Sequence, residues 1–134
     1  MVPDLQCALI CEDVRLEVAG GTTLVGVVNT ILTPQIPVRL LKLCVFTRWC
    51  SGEGSFEQKT RLLNLEEEIL SETTTHFRLV GEMHYATNVA VFGGVEFTRA
   101  GGYPLEICLD NELILRFPLQ VVQGDRAPKG HPTV

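Results

Sequence analysis

The chain predicts an all-β fold, an antiparallel β-sandwich of about eight or nine short strands. Three observations carry that expectation. Apolar residues recur at every second position over most of the sequence, the period of strands that bury one face. Clusters of glycine, proline, asparagine and aspartate punctuate the pattern roughly every eight to twelve residues. No stretch keeps the period of an amphipathic helix.

Residues 5–11 are nearly all apolar and too few to favour a helix, which reads as a strand buried on both faces. Val14, Leu16 and Val18 then alternate with Asp13, Arg15 and Glu17, as in a half-exposed strand. Ala19-Gly20-Gly21 supplies a tight turn, and residues 22–32 return as a long β-branched strand. Pro34 and Pro37 end it. In residues 39–49, Leu41, Leu43, Val45 and Trp49 share one face, while Lys42, Cys44, Phe46 and Arg48 share the other. Ser51-Gly52-Glu53-Gly54 has turn chemistry. Residues 55–65 alternate more weakly. Glu66-Glu67-Glu68 reads as a solvated turn between strands; a helix over residues 62–71 competes, because leucine and glutamate favour helices. Residues 73–80 alternate, residues 81–87 form a polar interval, and residues 88–97 are a strand broken at Gly93-Gly94.

The stretch 101–123 is the most regular. Tyr103, Leu105, Ile107 and Leu109 form one apolar row, and Leu113, Leu115, Phe117, Leu119 and Val121 form another. Partners across a hairpin share a face. Pairing Ile107 with Leu115, Leu105 with Phe117 and Tyr103 with Leu119 keeps both rows on one face. With Leu109 opposite Leu113, that register predicts a three-residue loop, Asp110 to Glu112. It also sets Pro104 opposite Pro118, which points to a sheet edge or bulge nearby, since neither residue can donate to a ladder. A single domain over residues 1–123 and a flexible tail over 124–134 follow from these patterns.

The chain carries a formal charge of −5, with eleven basic residues scattered along it. That disfavours nucleic acid and anionic membrane surfaces as partners. No apolar run approaches the roughly 20 residues of a membrane helix. The start, MVPDLQCALIC, lacks the basic region of a signal peptide. Five cysteines at spacings foreign to zinc sites imply reduced thiols and a cytoplasmic protein.

ALICEDVRLE, GGTTLVGVVNTI, FTRWCSGEG and AGGYPLEICLDNELILRFPLQV occur in that order. Together they resemble a bacterial family of small, mostly β proteins known only as a domain of unknown function. The resemblance covers most of the chain and implies a compact cytosolic β protein. It implies no catalytic residue, cofactor or partner. Gly102-Tyr103 also resembles the strand starts of many immunoglobulin-like domains. The diagnostic spacing of that fold is missing, because Trp49 follows Cys44 by only five residues. A Cys44–Cys108 inter-sheet disulfide is accordingly disfavoured.

Residues with chemical potential are few. His76, His84 and Glu82 sit at spacings unlike strand metal ligands, which lie two apart on one face. No serine occupies a nucleophile elbow and no glycine cluster forms a phosphate loop. No catalytic residue, metal site or cofactor is expected. The candidate binding patch is Arg15, Arg48, Trp49, Glu53 and His84, because arginine and tryptophan dominate interaction hot spots and loops carry most sites. Trp49 equally continues the apolar row of its strand, and Arg48 would then pair outward with Glu53 or Asp13. Two functions follow as expectations. The first is a non-enzymatic interaction module, with a protein partner or self-association along exposed strand edges. The alternative is a small-ligand binder or enzyme with a loop-borne site near Arg48, Glu53 and His84.

Overall fold

The computed structural model describes residues 1–125. Within these residues seven strands follow one another: β1 (Asp4–Leu16), β2 (Thr22–Val28), β3 (Thr30–Thr33), β4 (Val38–Leu63), β5 (Ile69–Phe97), β6 (Gly101–Leu109) and β7 (Glu112–Gln123). Among the described residues there is no helix, and one mixed sheet curls into a half-barrel. Hydrogen bonds run in the order β2-β1-β4-β6-β7-β3, with β5 pairing β4 off that path. The β3–β7 pair is parallel and the others are antiparallel. The protein is all-β, as expected, but it has fewer and longer strands than its turn signals suggest.

The difference arises at corners. β4 and β5 form one long hairpin that bends midway. Its register runs from Val38↔Phe97 to Cys50↔Tyr85, shifts between Cys50 and Gly52, and continues to Leu63↔Ile69. The first half of β4 pairs β1 on its other side, and the second half pairs β6. The turn expected at residues 51–54 is therefore a bend within a strand. Ser51 and Gly54 adopt φ of 61° and 125°, left-handed values that redirect the chain without reversing it. Gly52 lies so close to Pro3 that a Cβ there would stand 2.7 Å from the proline Cβ. The polar interval at residues 81–87 is likewise strand.

The single strand expected over residues 22–32 is divided at Asn29. β2 pairs β1 and β3 pairs β7, so one short segment joins both ends of the hydrogen-bonded path. Residues 64–68 form the turn between strands, not the competing helix. The Asn64 side-chain oxygen accepts hydrogen bonds from the Glu66 and Glu68 amides at 3.0 and 2.8 Å, an Asx arrangement. Leu41 leaves the face assigned to it: it is 87% exposed, whereas Leu43, Val45 and Trp49 are buried. Opposite it, Gly94 at φ 65° breaks the regular pleat of β5, and Leu40 turns to the core instead.

The last hairpin keeps its expected register, with Tyr103↔Leu119, Pro104↔Pro118, Leu105↔Phe117 and Ile107↔Leu115. Its tip differs. Leu109 faces Glu112 and Cys108 faces Leu113, with a bulge next to Ile107. The loop is thus the two residues Asp110 and Asn111, at φ 47° and 68°, the left-handed pair of a tight hairpin turn. The extra residue of the bulge restores the parity that a third loop residue would have given. Pairing of β6 with β4 begins at Leu105, just past Pro104, where no donor is lost. Of the expected tail, the described part includes Gly124, whose amide donates to the Thr33 carbonyl at 2.9 Å; residues 126–134 lie outside the described residues.

The core contains a polar centre. Gln58 is 1% exposed and sits on the second half of β4, facing the first half across the bend. The Trp49 indole donates to Gln58 Oε1 at 2.8 Å, as does the Asn88 amide at 2.8 Å. Gln58 Nε2 donates to Thr60 Oγ1 at 2.8 Å. Thr47 Oγ1 stands 3.0 Å from Gln58 Oε1 and 3.3 Å from the Asn88 carbonyl, and its one proton serves either. An indole N–H only donates, so the atom facing Trp49 is the amide oxygen. Gln58→Ala would strand the donors of Trp49 and Asn88 and open a void. Urea unfolding should show a loss of about 2–4 kcal/mol. Arg48→Ala, on the outer surface, should cost less than about 1 kcal/mol, and equal losses for the two would refute the role of the amide.

Candidate functional site

The five residues singled out by sequence do not converge. Trp49 is fully buried, stacked on Phe77 at 5.7 Å between ring centroids. Arg48 lies on the opposite face of the same strand. Its guanidinium sits 5.5 Å from the Phe46 ring centroid and its Nε donates to Thr87 Oγ1 at 3.2 Å. Neither Glu53 nor Asp13 pairs with it. Glu53 is exposed at the bend, and its amide donates to the Met1 carbonyl at 3.2 Å. His84 is exposed nearby, and its Nδ1 accepts from the Val80 amide at 3.1 Å. That bond ties the ring to the backbone of its own strand.

Arg15 is remote from all of these. Cys7 is the β1 residue opposite Arg48, about eight strand residues or roughly 26 Å away. Arg15 lies 3.5 Å from Asp13, whose stronger partner is Lys42 at 2.6 Å. The Lys42 ammonium and then the Val14 amide hold the Asp13 carboxyl below its ordinary range. Any stability this exposed pair contributes is present above the unfolded-state pKa of aspartate and is lost as pH falls through the lowered value. His76, the other histidine weighed for metal, stands 3.1 Å from Glu57. Among the described residues, no three histidine, cysteine or acidic side chains gather in a ligand set.

The two halves of the half-barrel present different outer faces. On one, a row of alternating charge crosses four strands: Arg116 to Glu106 at 3.2 Å, Glu106 to Arg61 at 4.0 Å, and Arg61 to Glu72 at 2.7 Å. Glu67 also reaches Arg116, and Glu66 pairs with Arg99. This is a solvated sheet surface. On the other, the rows are Val27–Cys11–Cys44–Val91 and Leu9–Phe46–Val89. Val27 and Val91 are 53% and 51% exposed.

That apolar face ends at an open edge. Among the described residues, β5 pairs with β4 alone. Between Glu82 and Glu96 it carries no aspartate, glutamate, lysine or arginine. From Tyr85 to Gly93 its register with β4 is unbroken, so residues 86–92 (ATNVAVF) offer a regular row of backbone donors and acceptors on the free side. Asn88 turns inward to Gln58, which fixes the facing of the whole segment. The Glu112–Pro118 part of β7 is the contrasting edge. It is interrupted by Arg116 and Pro118, residues that discourage strand addition. An apolar groove of about 820 Å³ opens where the chain passes from β2 to β3, lined by Leu9, Val27, Leu32 and Phe117 with Asn29 at its rim.

A family model described as "Family of unknown function (DUF6941)" matches residues 6–122. Comparison with curated proteins finds no match for the chain.

The cysteines separate by environment. Cys11, Cys44 and Cys108 are buried, and burial pushes each thiol pKa up, so they remain protonated at neutral pH. Cys7 and Cys50 are half-buried. A bulky disulfide reagent at pH 8 should label Cys7 and Cys50 in the folded protein and reach the other three only on unfolding. Fast labelling of Cys44 in the native state would contradict this burial.

Proposed function

The chain belongs to the DUF6941 family, whose function is unknown, and from its geometry we propose that it is a non-catalytic protein-interaction module that associates through the free edge of β5. The observation that carries this reading is the uncharged, regular edge at residues 86–92 beside an aliphatic outer face. Unpaired strand edges template further pairing, and natural proteins blunt them with charge, proline or bulges when pairing is unwanted. The edge of β7 carries such devices, and this part of β5 does not. Addition of a strand to such an edge is a recognised mode of protein–protein binding. A second copy of the chain is the simplest partner, because two antiparallel β5 edges related by a two-fold axis complete one another.

We also read the half-barrel as a relative of the immunoglobulin-like sandwich. Trp49 from the first half of β4, Leu79 from β5 and Leu105 from β6 share one buried cluster, which supports this reading. The Tyr103 hydroxyl donates to the Arg99 carbonyl at 2.6 Å, four residues upstream, like the tyrosine corner of that fold. The five free thiols support a cytoplasmic, reducing setting. The alternative, a ligand site or enzyme at Arg48, Glu53 and His84, has less support. The Arg48 and His84 side chains have separate partners, and none of the three residues lines any of the four described clefts.

Sedimentation velocity over a range of concentrations tests the proposal. The protein should show reversible dimerisation at micromolar concentration. Val89→Lys with Val91→Lys should shift it to monomer, with the melting temperature changed by less than about 5 °C. Thr74→Lys, exposed on the other half of β5, should leave association unchanged. A monomer at all concentrations, or a dimer indifferent to the lysines, would overturn association along this edge.

A further inference from the structure

We propose that Cys11 and Cys44 form a reversible cross-strand disulfide that ties β1 to β4. The inference goes beyond the association edge and does not depend on it. The two residues are directly opposite in an antiparallel pair. Their side chains share the outer face of the sheet, between Val27 on one flank and Val91 on the other.

Cys44 Sγ also lies 3.8 Å from the carbonyl oxygen of Glu12, the residue after Cys11. Directly opposite residues of an antiparallel ladder have Cα atoms about 4.5 or 5.5 Å apart, in non-hydrogen-bonded and hydrogen-bonded pairs respectively. Both separations fall within the range that a disulfide spans without backbone movement, about 4.4–6.8 Å. The other cysteines are placed less well. Cys7 faces Arg48 and Cys50 faces Asp4, so Cys7 and Cys50 meet only diagonally. Cys108 is on β6.

Glutathione disulfide is the oxidant that balances the step. One cysteine, as thiolate, attacks a glutathione sulfur; the glutathione S–S bond breaks and one glutathione thiolate leaves. The second cysteine then attacks the mixed disulfide, forms the Cys11–Cys44 bond and displaces the second glutathione. The protein loses two electrons and two protons, and glutathione disulfide becomes two glutathione molecules. Burial keeps both cysteines as thiols, so exchange in the folded state is slow, while the position of equilibrium is set by geometry. In a reducing compartment the pair rests as a dithiol, and it closes as the glutathione pool becomes oxidised.

The test is to equilibrate the wild-type protein, both folded and refolding from urea, in glutathione buffers from reducing to oxidising. Samples are quenched with acid, alkylated and mapped as non-reduced peptides. A peptide linking Cys11 to Cys44 should dominate in the oxidising buffers, at a mass lower by two hydrogens, and dithiothreitol should reverse it. The circular dichroism spectrum should stay that of the β fold. In Cys44→Ser the link should vanish and no other pair should replace it. Refolding gives the thiols full access, so slow exchange cannot hide a favourable link. Persistently alkylated Cys11 and Cys44 under both regimes, a dominant Cys7–Cys50 link, or glutathione mixed disulfides alone would overturn the assignment.

Discussion

The structure depends on one buried amide. A strand as long as β4 must bend to serve two halves of a curled sheet. Ser51 and Gly54 redirect the chain at the bend with left-handed φ, and Gln58 ties the two arms together from the core. Its oxygen receives the Trp49 indole and the Asn88 amide, while its nitrogen is held by Thr60. Trp49 and Asn88 belong to one half of the half-barrel, Gln58 and Thr60 to the other. An apolar contact would tolerate sliding. Directional hydrogen bonds in a dry core do not, because an unmatched donor there costs its full desolvation.

From this centre the rest follows outward. Trp49 stacks on Phe77, which in turn lies 5.7 Å from Phe56, so aromatic packing extends the fixed point towards the surface. The segment through β2 and β3 ties the two ends of the hydrogen-bonded path together on the far side. Asn88 belongs both to the polar centre and to residues 86–92 of the free edge. The core network thus sets which side chains of that edge face outward, and it links the geometry of the fold to the proposed association surface.

Sequence alone carried part of this. The last hairpin was legible because two apolar rows constrain one register from both sides. Its tip was not, since a two-residue turn with a bulge has the same parity as a three-residue loop. Gly52 and Gly54 looked like a reversal because glycine marks positive φ wherever it occurs, and a corner uses the same angles as a turn. Leu41 was misplaced because the pleat it was assumed to follow breaks opposite Gly93-Gly94. Gln58 escaped notice for a physical reason. Residues 55–65 alternate weakly because Gln58 and Thr60 occupy inward positions between Phe56 and Leu62. That weak alternation was itself the signal of a polar core. Of the candidate patch, Trp49 was rightly paired with the core reading, while Arg15, Arg48, Glu53 and His84 lie at separate places on the surface. The uncharged run in β5 was visible in the sequence, but its position at an edge required the strand order.

The central functional claim is that the free side of β5 over residues 86–92 pairs with another chain. Amide hydrogen exchange, resolved by residue at low and high protein concentration, tests it most directly. The account predicts that alternate amides of this segment, those turned away from β4, gain protection as concentration rises. Amides bonded to β4 and those on β7 should stay unchanged. Uniform protection at all concentrations, or gains confined to the β7 edge, would contradict it.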